Sequence, residues 1–117
     1  MNTLDTIKQQ IANNRVLLYM KGTPQFPMCG FSARVVQVLK AAKANFSYVN
    51  VLENPDIRSE LPKYANWPTF PQLYIDGELV GGCDIVLELD EKNEILPMLQ
   101  DADAILAEKA EFKDATV

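Results

Sequence analysis

A strand–helix–strand pattern in the first half of the chain is the feature that most limits how it can fold. The run Val16–Met20 is short and almost wholly apolar, which is typical of a central strand covered on both faces. From Phe31 onward the apolar residues follow the spacing of one helix face, and this helix should run to Ala44. Residues 46–51 alternate in the manner of a second strand. Together these segments predict a βαβ unit with parallel strands and a right-handed crossover.

Helices are predicted on both sides of this unit. An amphipathic helix should precede the first strand and end near Asn13. A third helix should begin at Asn54-Pro55, because an asparagine cap followed by proline is a good helix start, and it should bury Tyr64. Pro62 should kink or end that helix, because proline lacks an N–H group and its ring crowds the preceding turn.

The last third of the chain predicts a hairpin followed by helices. Asp76-Gly77 lies between two segments rich in β-forming residues and favours a tight hairpin turn. Asp84 should cap the next helix, and a further helix should span residues 94–100 with Leu96 facing inward. Residues 104–112 are helical candidates without firm packing. The predicted architecture is an α/β fold with a four-stranded mixed sheet and helices on both faces.

Length and composition predict one domain over residues 1–117, with a loosely packed tail after about residue 101. A chain of 117 residues buries roughly two-thirds of its unfolded surface, which is enough for one core. A net charge of -5 and a pI near 4.6 argue against nucleic acid or an anionic membrane as the main partner. Neither a membrane-spanning run nor a secretion signal is recognised, so the reducing cytoplasm is the expected location.

The absence of histidine limits the chemistry that is open to the chain. No Ser-His or Cys-His catalytic pair and no imidazole metal ligand can form. The two cysteines, Cys29 and Cys83, are too few for a disulfide scaffold. Cys29 opens the helix after the first strand, where the free N–H groups of the first turn and the helix dipole favour a thiolate. Ser32 stands where the second cysteine of a C-x-x-C pair would be and cannot form a disulfide.

Four motifs occur in an order that resembles a known family. They are Lys21-Gly22, Cys29-Gly30-Phe31-Ser32, Trp67-Pro68-Thr69-Phe70-Pro71-Gln72 and Gly81-Gly82-Cys83-Asp84. Over residues 1 to about 100 the chain resembles the monothiol glutaredoxins of the C-G-F-S type, especially their single-domain bacterial form. The resemblance implies a thioredoxin-like glutaredoxin fold that brings these motifs to one rim.

The resemblance also implies a glutathione site beside an active-site thiolate at Cys29. Lys21 would hold a positive charge near this sulfur, and Arg58 would bind the glycine carboxylate of glutathione. Phe70 would pair its backbone with the tripeptide, next to a proline that is expected to be cis. The other implied glutathione contacts are Thr69, Cys83 and Asp84.

Taken singly, these residues have other interpretations. Lys21 and Arg58 could be solvated side chains, and the loop prolines could only stiffen the chain. Asp84 could cap its helix and also bind the γ-glutamyl end of glutathione, since one role does not exclude the other. Cys29 could be a buried structural cysteine. Cys83 could be a packed small residue, a second thiol for Cys29, or a contributor of backbone groups only.

Two functions are consistent with the resemblance. The first is a carrier: a [2Fe-2S] cluster needs four ligands, normally thiolates, and one chain without histidine has at most two sulfurs. The resemblance supplies Cys29 from each chain of a homodimer and the thiols of two glutathiones. Such a protein would deliver the cluster to client apo iron-sulfur proteins and bind a BolA-type partner.

The second function is an enzyme, a glutathione-dependent thiol-disulfide oxidoreductase that acts through Cys29 alone. Because C-G-F-S members are poor catalysts, the carrier role is expected to dominate.

Overall fold

In the computed structural model the described residues are 2–105 and 110–116, and their order of elements confirms the predicted α/β fold. The helices are α1 (Thr3–Asn13), α2 (Gly30–Ala41), α3 (Pro55–Ala65), α4 (Cys83–Glu91) and α5 (Ile95–Asp101). The strands are β1 (Val16–Met20), β2 (Asn45–Asn50), β3 (Gln72–Ile75), β4 (Glu78–Gly81) and β5 (Glu111–Asp114). Among these residues no helix has the length and apolar composition needed to cross a bilayer.

The mixed sheet has five strands rather than the predicted four, in the order β4-β3-β1-β2-β5. β1 and β2 are parallel, as the crossover requires, and β3 is antiparallel to both β1 and β4. β5 pairs in parallel with β2, and its Phe112 ring packs on Phe46 with the ring centroids 5.6 Å apart. The helical prediction is therefore wrong at Glu111 and Phe112, because sheet pairing and this aromatic contact outweigh local preference. Residues 106–109 of that prediction lie outside the described residues.

Alternation along β1 divides the core into two layers. Leu17 and Tyr19 point to the face that α1 and α3 cover. Val16, Leu18 and Met20 point to the opposite face, which α2, α4 and α5 cover. All of β1 is buried, which confirms its prediction as a central strand.

Two helix ends differ from the predictions. α2 ends at Ala41 instead of Ala44, and Lys43 then adopts a left-handed φ of 59°, which cannot continue a helix. α3 passes through Pro62 and ends at Ala65, so of the two predicted effects of Pro62, a kink or an end, the end does not occur. The face of α3 that carries Ile57 and Leu61 is buried in the core, and this burial offsets the hydrogen bond that proline removes.

Three side chains that were expected in the core are exposed. Tyr64 is 43% exposed because Ala65, one residue further on, packs against the core instead. Leu96 is 41% exposed because the buried stripe of α5 is formed by Ile95 and Leu99, four residues apart. Phe31 is 56% exposed and lines a groove that also contains Cys29.

The hairpin turn between β3 and β4 is as predicted, whereas the start of α4 differs from its prediction. Asp76 and Gly77 have φ angles of 50° and 83°, which confirms the tight hairpin between β3 and β4. The N-cap of α4 is Gly82, its first helical residue is Cys83, and Asp84 lies within the first turn. The prediction of Asp84 as the helix cap is therefore wrong, because the helix starts one residue before it.

Candidate functional site

The four sequence motifs meet in one groove of about 680 Å³. The topology explains their meeting: the end of β1 lies beside the start of β3, with Tyr19 opposite Gln72, and the end of β4 lies beside it, with Gly81 opposite Leu73. The chain segments that leave or enter these strand ends therefore share one rim of the sheet. Every residue predicted for the site lines this groove: Lys21, Cys29, Arg58, Thr69, Phe70, Cys83 and Asp84.

Cys29 is held at the start of α2 with its thiol partly accessible. The pKa of this thiol is lowered, most of all by the backbone N–H of Ser32. The N–H of Phe31, the charge of Lys21 and the Ser32 hydroxyl act in the same direction, while burial opposes them. Donors that hydrogen-bond to the charged form of a group favour that form. Cys29 is therefore suited to act as a thiolate nucleophile or metal ligand.

Ser32 occupies the position of the missing second cysteine and is fully buried. Its hydroxyl oxygen accepts a hydrogen bond from the backbone N–H of Lys21 at 3.2 Å. The side chain therefore connects the end of β1 to the first turn of α2 directly behind Cys29. Ser32 has a structural role that its place in the sequence motif does not by itself reveal.

Cys83 differs from Cys29 in both exposure and acidity. It is 7% exposed and belongs to the core layer beneath α2 and α4. Burial raises the pKa of its thiol, and the charges of Asp84 and Cys29 add to this, although Arg34 partly opposes them. Both cysteines are free thiols. Of the alternatives open for Cys83, a packed small residue agrees best with this environment.

The start of α4 presents backbone N–H groups to the groove. Its N-cap is Gly82, which has no side chain to accept a hydrogen bond from the first turn. A helix start of this kind carries partial positive charge and suits a carboxylate. A Cβ on Gly82 would lie 3.2 Å from the Pro71 carbonyl oxygen and 3.5 Å from Trp67 Nε1. Glycine therefore lets the start of α4 approach the loop that precedes β3.

That loop is supported by a residue that sequence reasoning did not assign to the site. Gln72 is fully buried, and its Nε2 donates to the carbonyl oxygens of Trp67 at 3.0 Å and Thr69 at 3.2 Å. The Phe70-Pro71 peptide bond is cis, as expected. Among the described residues no group bonds to the Phe70 N–H or C=O, so both are available to an extended peptide. A polar residue opening an otherwise apolar strand was the signal that could have identified Gln72.

Two cations face the groove without a carboxylate partner in the part of the chain that the structure describes. Lys21 is half-buried just after β1, and Arg58 is exposed in the first turn of α3. The groove also has an apolar wall that the sequence did not predict. It is formed by Phe31, Pro62, Trp67, Pro68 and Ile85. A thiolate, two cations and an open helix start suit a small anionic ligand with an apolar or sulfur-bearing part.

A metal site made by one chain alone is not found. Within residues 2–105 and 110–116, no three carboxylate or thiol side chains lie close enough together to hold a metal ion.

Comparison with known proteins agrees with this arrangement. The glutaredoxin family model matches residues 16–80. The chain is 61% identical over 104 residues to glutaredoxin 4 of Pasteurella multocida (strain Pm70), which covers 89% of this chain and 95% of that protein. The solution structure of reduced poplar apo GrxS14 is 48% identical with a TM-score of 0.73, covering 86% of this chain and 92% of that one.

A second solved structure extends the comparison. The holo form of glutaredoxin C1 from Populus tremula x tremuloides is 33% identical with a TM-score of 0.77, covering 86% of this chain and 89% of that one. The fold, the family match and a Cys29 thiol of lowered pKa, with serine in place of a second cysteine, lead to one conclusion. The chain belongs to the glutaredoxin family, as a monothiol member of the glutaredoxin 4 group.

Proposed function

We propose that this protein binds a glutathione-ligated [2Fe-2S] cluster as a dimer and delivers it to apoproteins. The observation that carries the proposal is that each chain offers a single available sulfur. Cys29 is partly accessible with a lowered pKa, whereas Cys83 is buried with a raised pKa. A [2Fe-2S] cluster normally takes four thiolates. Two chains then supply two thiolates through Cys29, and the remaining two come from outside thiols.

The donor groups around Cys29 fit glutathione as that outside thiol. The Arg58 guanidinium suits one carboxylate in a bidentate manner. The open N–H groups at the start of α4 suit the carboxylate of the γ-glutamyl end, and the Asp84 carboxylate suits its ammonium. The Phe70 backbone N–H and C=O, which no other described group bonds, suit the middle of the tripeptide. Thr69 and Cys83 complete this set along the groove, and Lys21 adds positive charge beside the two sulfurs.

The cluster is the cargo in this proposal, and its ligands explain why it can leave. Glutathione is held by hydrogen bonds and charge rather than covalently, so two of the four thiolates exchange with the solution. The expected partners follow: a second copy of this chain across the cluster, client apo iron-sulfur proteins, and a BolA-type protein in place of one copy. A reducing cytoplasm keeps Cys29 as a thiol and supplies glutathione.

A second function is favoured by the lowered pKa of Cys29 alone. In this alternative the Cys29 thiolate attacks the glutathione sulfur of a mixed disulfide and releases the substrate as a thiolate. A second glutathione thiolate then attacks the Cys29–glutathione disulfide, which yields oxidised glutathione and restores the Cys29 thiolate. No second protein cysteine is needed for this cycle.

Anaerobic reconstitution with iron, sulfide and glutathione separates the two functions. The visible spectrum and the elution volume are recorded for wild type, Cys29→Ser and Cys83→Ser. We expect wild type and Cys83→Ser to form a coloured dimer, and Cys29→Ser to stay colourless and monomeric. A colourless wild type, or a coloured Cys29→Ser, contradicts the carrier function. Fast glutathione-dependent reduction of a glutathionylated peptide by cluster-free wild type favours the enzyme instead.

A further inference from the structure

Residues 23–27, shortly before Cys29, form a folded loop. We call it the active-site loop. Thr23 and Phe26 exchange backbone hydrogen bonds of 3.2 and 3.1 Å. The N–H of Met28 closes the base of the loop by donating to the Lys21 carbonyl oxygen at 2.9 Å. Pro24 is buried, whereas Phe26 is 77% exposed. One side of the loop is therefore packed against the protein, and the other side presents the exposed Phe26 ring.

Lys40 contacts the packed side of this loop from the last turn of α2. Its Nζ donates to the Pro24 carbonyl oxygen at 3.1 Å. A hydrogen bond from a charged donor is stronger than one between neutral groups. Loss of this donor would remove a charged, part-buried hydrogen bond that holds the Pro24 carbonyl in place.

The same ammonium group also lies against the C-terminal strand. Lys40 Nζ is 5.5 Å from the centroid of the Phe112 ring, within the range of a cation–π interaction. Phe112 is fixed in turn by its packing on Phe46 and by the pairing of β5 with β2. One side chain therefore bridges the active-site loop and β5, which are about 90 residues apart in sequence.

We propose that Lys40 is a positioning residue that couples β5 to the active-site loop and thereby sets the conformation in which the loop presents Cys29 and its bound ligand. The Lys40 ammonium contacts both the Pro24 carbonyl and the Phe112 ring. Each contact therefore limits the positions in which the ammonium can make the other. The effect on cluster binding rests on the proposed function, whereas the coupling of the loop to β5 does not.

Amide hydrogen exchange tests the coupling directly. It is measured at Thr23, Phe26 and Met28 in wild type, Lys40→Met, Lys40→Arg and Phe112→Leu. Lys8→Met, on α1, is the control that removes one exposed lysine elsewhere. We expect exchange at Thr23 and Phe26 to become about threefold to tenfold faster in Lys40→Met. Phe112→Leu should accelerate it about twofold to fivefold, and Lys40→Arg and Lys8→Met should stay near wild type. Unchanged exchange in either Lys40→Met or Phe112→Leu overturns the coupling of β5 to the loop.

The rate of cluster release after reconstitution tests the consequence for function. We expect faster release from Lys40→Met than from wild type, with rescue by Lys40→Arg. Faster loop exchange without any change in cluster release overturns the functional part of the proposal. If wild type assembles no cluster, the carrier function itself fails, while the exchange data still decide whether Lys40 couples β5 to the loop. Lys40 is exposed, so Lys40→Met is expected to fold; if it does not, Phe112→Leu still tests the coupling.

Discussion

The Ser32 hydroxyl accepts a hydrogen bond from the backbone N–H of Lys21 at 3.2 Å, and this bond joins the residue after β1 to the first turn of α2. The residue in the place of a second cysteine thus connects two groups that lower the pKa of Cys29: the α2 N-terminus and Lys21. The missing thiol is replaced by a structural contact, and in the proposed function a ligand supplies the second sulfur.

Replacing Ser32 with alanine should weaken both folding and the acidity of Cys29. Ser32→Ala leaves the Lys21 N–H without its acceptor, which should cost about 1–3 kcal/mol in the free energy of unfolding. It also removes one group that lowers the pKa of Cys29, so this pKa should rise. Urea unfolding and the pH dependence of Cys29 alkylation measure the two effects. Ser59→Ala, at an exposed position of α3, is the control and should change neither; an unchanged alkylation profile in Ser32→Ala would contradict the role given to the hydroxyl.

Removing the charge of Arg58 should weaken glutathione binding selectively. Arg58→Gln replaces a bidentate, charged donor in the groove, and a loss of about 1.5–3 kcal/mol corresponds to a tenfold to hundredfold higher Kd. Lys63→Gln removes a charge from the last turn of the same helix, outside the groove lining, and should bind nearly as wild type. Calorimetric titration with glutathione measures both. Equal weakening by the two variants would show a nonspecific charge effect rather than a contact.

A methyl group at Gly22 should disrupt the base of the active-site loop. Gly22 has a φ of 92°, and a Cβ there would lie 2.5 Å from the Phe26 carbonyl oxygen and 2.6 Å from the Met28 nitrogen. Gly77 has a similar φ of 83° with nothing within 4 Å of its Cβ position. Gly77→Ala should therefore cost about 1–2 kcal/mol from the left-handed conformation alone. Gly22→Ala should cost clearly more in thermal or urea unfolding because backbone atoms must also move, and equal costs would argue against this clash.

Alkaline pH should destabilise the protein through two buried tyrosines. Burial raises the pKa of Tyr74 to about 12 and also raises the pKa of Tyr19, whose hydroxyl donates to Gln10 at 2.8 Å. An unfolded tyrosine ionises near pH 10, so the neutral phenols stabilise the folded state below about pH 10. That stabilisation is lost as the pH rises from about 10 through the folded-state pKa of Tyr74.

Urea unfolding between pH 8 and pH 12 measures this loss. Tyr74→Phe should show a shallower decrease in unfolding free energy above about pH 10 than wild type, because one buried phenol no longer ionises. Identical slopes for wild type and Tyr74→Phe would refute the assignment.

Local patterns in the sequence were sufficient for much of the fold. The apolar run of β1, the helical spacing after Phe31 and the Asp76-Gly77 turn depend on neighbouring residues, so their structures could be predicted one segment at a time. The absence of histidine and the single reactive position at Cys29 also limited the chemistry through residue type and position alone. The grouping of Lys21, Arg58 and the other groove residues came from the family resemblance, not from spacing.

The tertiary structure decided the features that depend on distant residues. β5 forms because β2 offers a free edge and Phe46 a packing partner, and α3 continues past Pro62 because its buried face outweighs one lost hydrogen bond. The supports of the site, Gln72 beneath its loop and Lys40 between Pro24 and Phe112, are likewise long-range or buried contacts. Propensity and periodicity act over a few residues, whereas burial and hydrogen-bond satisfaction are settled only when the whole chain is packed. The sequence by itself therefore determined the order of elements as far as α5 and the place of Cys29 at a helix start, and packing determined β5 and what holds that cysteine in place.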